Sequence, residues 1–266
     1  MRPGGPADAS TSAKALVAAT FVAALALAWG LSAGRVPAYI LPAPGEVGTA
    51  ALAFFTTAQK LAHLGTTLTH IAVSTALSFV LGAGLALAAH YAEWSAPAIH
   101  RRLSPFLNAF SGIGWTLLGV IWFGVSSATV VFTISIVLLP FALVNLREGL
   151  VAQDRELMEM GRSFGRSGWR NFTAIVVPAL LPFGAATLRI MFGVAWKVAL
   201  TAELFGGSSG LGYMINNARQ DYDTATIFTV ILFIILAVYL ADRLVFAPLE
   251  RYTSRQFGRV ARGGRT

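Results

Sequence analysis

The chain has 266 residues, 56% hydrophobic and 12% charged, with a net charge of +8 and no cysteine. A charged fraction about half that of ordinary soluble domains argues against a soluble fold, and the missing cysteines exclude disulfides, thiolate metal sites and thiol nucleophiles. The remaining class is an all-α integral membrane protein with one membrane domain, because backbone groups in lipid must be satisfied within helices or closed barrels and the apolar runs lack the alternation of barrel strands.

Residues 15–34 carry no charge, which predicts a first span near 15–33. A cleaved signal peptide is the alternative, disfavoured by the length of the apolar run and by the poor cleavage sequence "LSAGRV". Residues 46–64, "EVGTAALAFFTTAQKLAHL", have an apolar face at helical spacing and are expected as one helix, lying in the interface or packed on the outer surface. Residues 61–92 hold no charge apart from three histidines, and a span is predicted near 68–91. Residues 103–146 are uncharged over 44 positions. That is enough for two spans of about 20 residues each, near 106–123 and 127–146, with "FGVSSA" as the turn. Two more spans are predicted near 180–203 and 225–246. The expected organisation is a tail over 1–14, a membrane domain over 15–246 with a loop over 147–178, and a basic tail over 247–266.

Six spans put both termini on one side, and the basic residues say which. Of the 20 Lys and Arg residues, fifteen fall on the side of the termini, three (Arg35, Lys60, Arg219) on the other, and two (Arg189, Lys197) inside a span. The positive-inside rule makes the terminal side cytoplasmic. The net charge then belongs to an acidic lipid surface. The tail "GRVARGGRT" lacks the interleaved aromatics of an RNA-binding patch.

The segment 147–178 is far longer than a connection needs. It reads as two short helices: Asp154 or a neighbour caps the first, with Glu156 and Glu159 in its early turns. Gly165 and Gly168 break it, "WRNFTAIVV" follows, and Pro178 and Pro182 open the fifth span. A bent helical pair on the membrane surface is suited to docking. The spacing Glu159-Met160-Gly161, three residues, Gly165, nine residues, Ile175, Val176, Val177-Pro178 resembles the EAA loop of ABC-transporter permeases. Met160 and Gly161 replace its two alanines and Val177 its leucine. "LPAPGEV" (41–47), "VIWFGV" (120–125) and "AELFGGSSGLGYMI" (202–215) resemble segments of the nitrate/sulfonate/taurine/bicarbonate importer permeases. "SGIGWTLL" (111–118) departs from them where many members carry prolines.

The resemblance implies the membrane subunit of a type I ABC importer in a bacterial inner membrane. It implies a homodimer, two partner ATPases gripping the loop, and a periplasmic or lipid-tethered binding protein that delivers a small, anionic substrate. The expected docking residues are Glu156, Glu159, Met160, Gly161, Ser163, Phe164, Gly165, Trp169, Ile175 and Pro178. The chain has no "GxxxxGK[ST]", so no P-loop. ATP and Mg are expected on the partner, with no cofactor, metal or catalytic residue here.

Charges inside a span are expensive and functional by default. Lys197 and Arg189 lie eight residues apart, about 12 Å along one broad face. Lys197, beside Trp196, is a candidate for a water-filled path that attracts an anion; an internal ion pair, for instance with Glu203 of this copy or the other, is the equal alternative. For Arg189, snorkelling or a carbonyl contact is preferred. Trp115 and Trp196 are candidates for the path, with core packing preferred. Ser208, Ser209, Gly210 and Gly212 are candidates for an outer gate. The four histidines show no metal spacing. An ion-coupled secondary carrier is the rival function; it should show inverted repeats and broken helices, which the sequence lacks.

Overall fold

The computed structural model describes residues 7–92, 94–152, 170 and 172–249. All regular structure among them is helical. In chain order the helices are α1 (Ala7–Ala33), α2 (Pro44–Thr56), α3 (Ala58–Tyr91), α4 (Pro97–Ala109), α5 (Gly112–Phe123), α6 (Ser127–Val151), α7 (Phe172–Gly206), α8 (Leu211–Gln220) and α9 (Thr224–Leu249). By length and composition α3, α6, α7 and α9 can each cross a membrane. Helices α4 and α5 qualify only as a pair, bent by 87°.

Local chemistry sets most boundaries. Ser111, Ser126 and Asp223 cap α5, α6 and α9 by accepting from the amides of Gly114, Thr129 and Thr226, each satisfying one orphan donor of a first turn. The Glu46 carboxylate reaches back to the Ala43 amide at 3.0 Å to start α2. Gly124, at φ 69°, ends α5 in a conformation that favours glycine. Helices α4 and α7 begin with widened turns at Pro97–Leu103 and Phe172–Val176, and α9 has one near its end at Asp242–Phe246.

Two boundaries differ from expectation. The single helix expected over 46–64 is split, because Thr57 is extended; its second part is the first turn of α3. Helix α2 is packed rather than loose: Phe54 is 1% exposed and stacks against Phe233 of α9, and Thr229 donates to the Val47 carbonyl. The helix expected over 106–123 is broken at Phe110 and Ser111, both extended. The Phe110 ring lies against Gly114, where a Cβ would not fit, and this close approach fixes the bend.

Helix α6 is the centre of the bundle, packed on α3, α5 and α7. Its contact with α3 follows a four-residue stripe of small side chains, Ser74, Ser78, Gly82 and Ala86, all buried. Ser74 and Ser78 donate to the carbonyls of Val131 and Ser135. A Cβ on Gly82 would come within 2.5 Å of the Ala142 Cβ. Small residues let two helices approach closely enough for van der Waals packing where lipid provides no hydrophobic drive.

Candidate functional site

Among the described residues, two constellations bring charged side chains together within the bundle. The first is a groove of about 590 Å³ between α7 and α9. Arg189, Gly193 and Lys197, at four-residue steps, line it from α7, and Val238 and Asp242 line it from α9. The Arg189 guanidinium donates to both Asp242 oxygens, Nε at 2.7 Å and an Nη at 3.1 Å. This fork geometry fixes both side chains, and Arg189 is therefore tied to α9. Lys197 is exposed, and among the described residues no carboxylate lies within ion-pair distance of it. Nothing obstructs the groove at Gly193, where an added Cβ would meet no atom within 4 Å.

The two tryptophans lie elsewhere. Trp196 is 2% exposed and points into the core, edge-on to Phe192. Trp115 is 5% exposed, in an aromatic cluster with Phe106, Phe110 and Phe132.

The second constellation surrounds Glu203, which is fully buried and belongs to the bundle end opposite the α6–α7 connection. Its Oε1 is 2.8 Å from His70 Nδ1. Its Oε2 accepts from Thr67 Oγ1 and from the Gly212 amide, each at 2.9 Å. Thr67 Oγ1 in turn accepts from the Leu211 amide at 2.8 Å. The Gly210 amide donates to His63 Nδ1 at 3.1 Å, which requires that nitrogen to be unprotonated. The glycine-rich turn thus cradles an anion, and the anion is the chain's own carboxylate. Gly210, at φ 112°, has Glu203 oxygens where a Cβ would stand, and Gly212 is pressed on the Leu200 carbonyl. Ser208 is exposed and Ser209 half-buried. Glu203 does not pair with Lys197 in this chain.

Sequence reasoning passes over several of these residues. Asp242 is the one acid within the predicted span 225–246, and an intramembrane carboxylate is itself a signal. His63, Thr67 and His70 repeat at helical spacing on one face of α3, a polar stripe in an uncharged run. Spacing tests the histidines only as metal ligands, and no group of three potential ligands exists among the described residues.

Of the expected docking residues, Glu156, Glu159, Met160, Gly161, Ser163, Phe164, Gly165 and Trp169 lie outside the described residues. Ile175 and Pro178 are half-buried in the first turns of α7. Beside them Val176 is 1% exposed and packs with Leu146 and Leu150 of α6, so the base of the loop is anchored to the bundle.

Comparison with known proteins agrees with this architecture. The family profile described as "Binding-protein-dependent transport system inner membrane component" matches residues 80–247. The chain is 29% identical over 218 residues to the putative aliphatic sulfonates transport permease protein SsuC of Bacillus subtilis, covering 80% of this chain and 76% of that one. It is 30% identical over 227 residues to the formylaminopyrimidine transport permease protein ThiX of Halalkalibacterium halodurans, covering 82% and 86%. In structure it resembles a chain of the inward-facing MetNI methionine ABC transporter, with TM-score 0.62 at 17% identity over 73% of this chain and 95% of that one.

Proposed function

The chain belongs to the inner membrane components of binding-protein-dependent transport systems, the permeases of ABC importers, and from that membership we propose that it forms the path for a small anion of the sulfonate, nitrate, bicarbonate or carboxylate class. The observation that carries the choice of cargo is the α7–α9 groove, where Lys197 is exposed with no carboxylate partner among the described residues while the Arg189 charge is offset by Asp242. A cation so placed in a wall of low dielectric concentrates anions. Its three rotatable donors suit the oxygens of a sulfonate, carboxylate, nitrate or bicarbonate.

In this reading two copies of the chain enclose the path. Two partner ATPases, which hold ATP and Mg, grip the loop around Glu159 to Gly165. A binding protein delivers cargo to the end that carries the 206–212 turn. Both termini face the cytoplasm, as the charge asymmetry supports. Alternating access then needs no chemistry from this chain. The partner's closure moves the loop, the loop moves α6 and α7 at their shared apolar root, and the groove changes the side to which it opens.

The likeness to ThiX supports a second reading, a neutral pyrimidine cargo. Purifying the complex from native membranes, reconstituting it with its binding protein, and competing cargo binding with taurine, an alkanesulfonate, nitrate, bicarbonate and a formylaminopyrimidine separates the two. Binding confined to the pyrimidine overturns the anion reading.

A further inference from the structure

The Glu203 constellation has no part in the path as described, yet it fastens three elements together. Through one side chain, α7 is joined to α3 by His70 and Thr67, and to the first turn of α8 by Gly212. Two more bonds hold the turn to the same face of α3: Leu211 to Thr67 and Gly210 to His63. Taking a carboxylate fully out of water is expensive, and apolar replacement of buried ionic groups is often neutral or stabilising. Stability alone is therefore a poor reason for an acid at this position. What a buried carboxylate with three donors provides is a single permitted arrangement of the parts that supply them. Glu203 also lies six residues beyond Lys197 on the same helix, with exposed Ser208 at the surface of the turn it holds.

We propose that Glu203 is a positioning residue of the transport cycle: it clamps the end of α7, the 206–212 turn and α3 into one rigid body, so that a force applied at the turn reaches the Lys197 groove undiminished. This rests on the importer reading, and it adds a residue that touches neither cargo nor nucleotide. Glu203→Met keeps nearly the length of the side chain and removes both acceptor oxygens, so that Thr67, His70 and the Gly212 amide all lose their shared partner. His70→Gln and Thr67→Ser retain a donor; His70→Leu and Thr67→Val do not.

The test uses the absence of cysteine from the chain, which permits two spin labels, at Gln59 in the first turn of α3 and at Ser208 in the turn. Both positions are exposed. Distances are measured by pulsed electron resonance on the complex in lipid nanodiscs, with the labelled chain diluted in unlabelled copies so that pairs within one copy are read, nucleotide-free and with vanadate-trapped ADP. The clamp requires one narrow distance, the same in both states, in the parent and in the donor-retaining variants. In Glu203→Met, His70→Leu and Thr67→Val the distribution broadens or changes with nucleotide state, and cargo uptake per ATP hydrolysed falls at least tenfold while ATP hydrolysis itself stays within twofold. A residue that merely aids folding would lower the yield of assembled complex without making the distance depend on nucleotide. A parent distance that shifts between states, or a Glu203→Met distribution identical to the parent's, overturns the clamp. If Glu203→Met fails to assemble, Thr67→Val decides by the same criteria. If no ATPase accompanies the parent, the importer reading fails, and a narrow parent distribution that widens in the variants of the isolated chain still separates the clamp from it.

Discussion

At the scale of single residues the groove is a matter of charge count. Among the described residues Lys197 has no acidic partner, and Asp242 offsets the charge of Arg189. The two positions therefore predict opposite effects. Lys197→Met removes the attraction and is expected to raise the KM for an anionic cargo about tenfold, equivalent to ~1.4 kcal/mol, with Lys197→Arg between the two. Asp242→Asn leaves the groove one charge more positive and is expected to lower that KM, most clearly at low ionic strength where screening is weak. Initial rates of uptake into proteoliposomes at two salt concentrations check both. Equal KM values for the parent and both variants would remove charge from the account of selectivity and favour a neutral cargo.

At the scale of elements, what is legible in the sequence follows from the solvent. Charge is expensive in lipid, so the runs around 68–91 and 127–146, free of Asp, Glu, Lys and Arg, and the sparsely charged apolar runs around 180–203 and 225–246 mark α3, α6, α7 and α9. The helix ends are less legible because a helix continues past the membrane surface into polar sequence: α3 begins at Ala58, two residues before Lys60. The bend at Phe110 and Ser111 arises from one aromatic ring against one glycine, a tertiary contact without a periodic signature. The site divides in the same way. The positions of Lys197 and Arg189 on one face follow from helical spacing alone, whereas the partners of Arg189 and Glu203 lie 53 and 133 residues away and no local pattern joins them. The α3–α6 stripe offers a direct test of packing. Gly82→Val forces a side chain into the Ala142 backbone and is expected to cost about 1–3 kcal/mol, lowering the thermal midpoint in detergent by roughly 5 °C. Gly84→Val, where an added Cβ meets nothing within 4 Å, serves as the control and is expected to leave the midpoint unchanged. Equal midpoints for the two variants would mean that the stripe does not set the α3–α6 approach.

At the scale of the whole molecule the driving force enters, on the importer reading, through the loop from a partner. On that reading the anchored root of the α6–α7 connection passes the force to the bundle. Leu146 and Leu150 of α6 and Val176 and Leu180 of α7 form one apolar cluster there, and Gly149 lies so close to Phe183 and Leu180 that a side chain would not fit. A pull on the loop thus moves two helices of the bundle together, one of which carries Lys197. Replacing Gly165, the glycine of the EAA-like spacing, with tryptophan is accordingly expected to remove the ATPase from the purified complex by steric block, while the chain itself remains folded with an unchanged thermal midpoint. Mass spectrometry of the material captured from native membranes gives the first result and a melting curve the second. Uptake by the parent should then require ATP and persist when ion gradients are collapsed. Uptake that follows an ion gradient and continues in Gly165→Trp would identify the chain's activity as that of a self-sufficient carrier, since a path driven through its loop cannot work once the loop is no longer held.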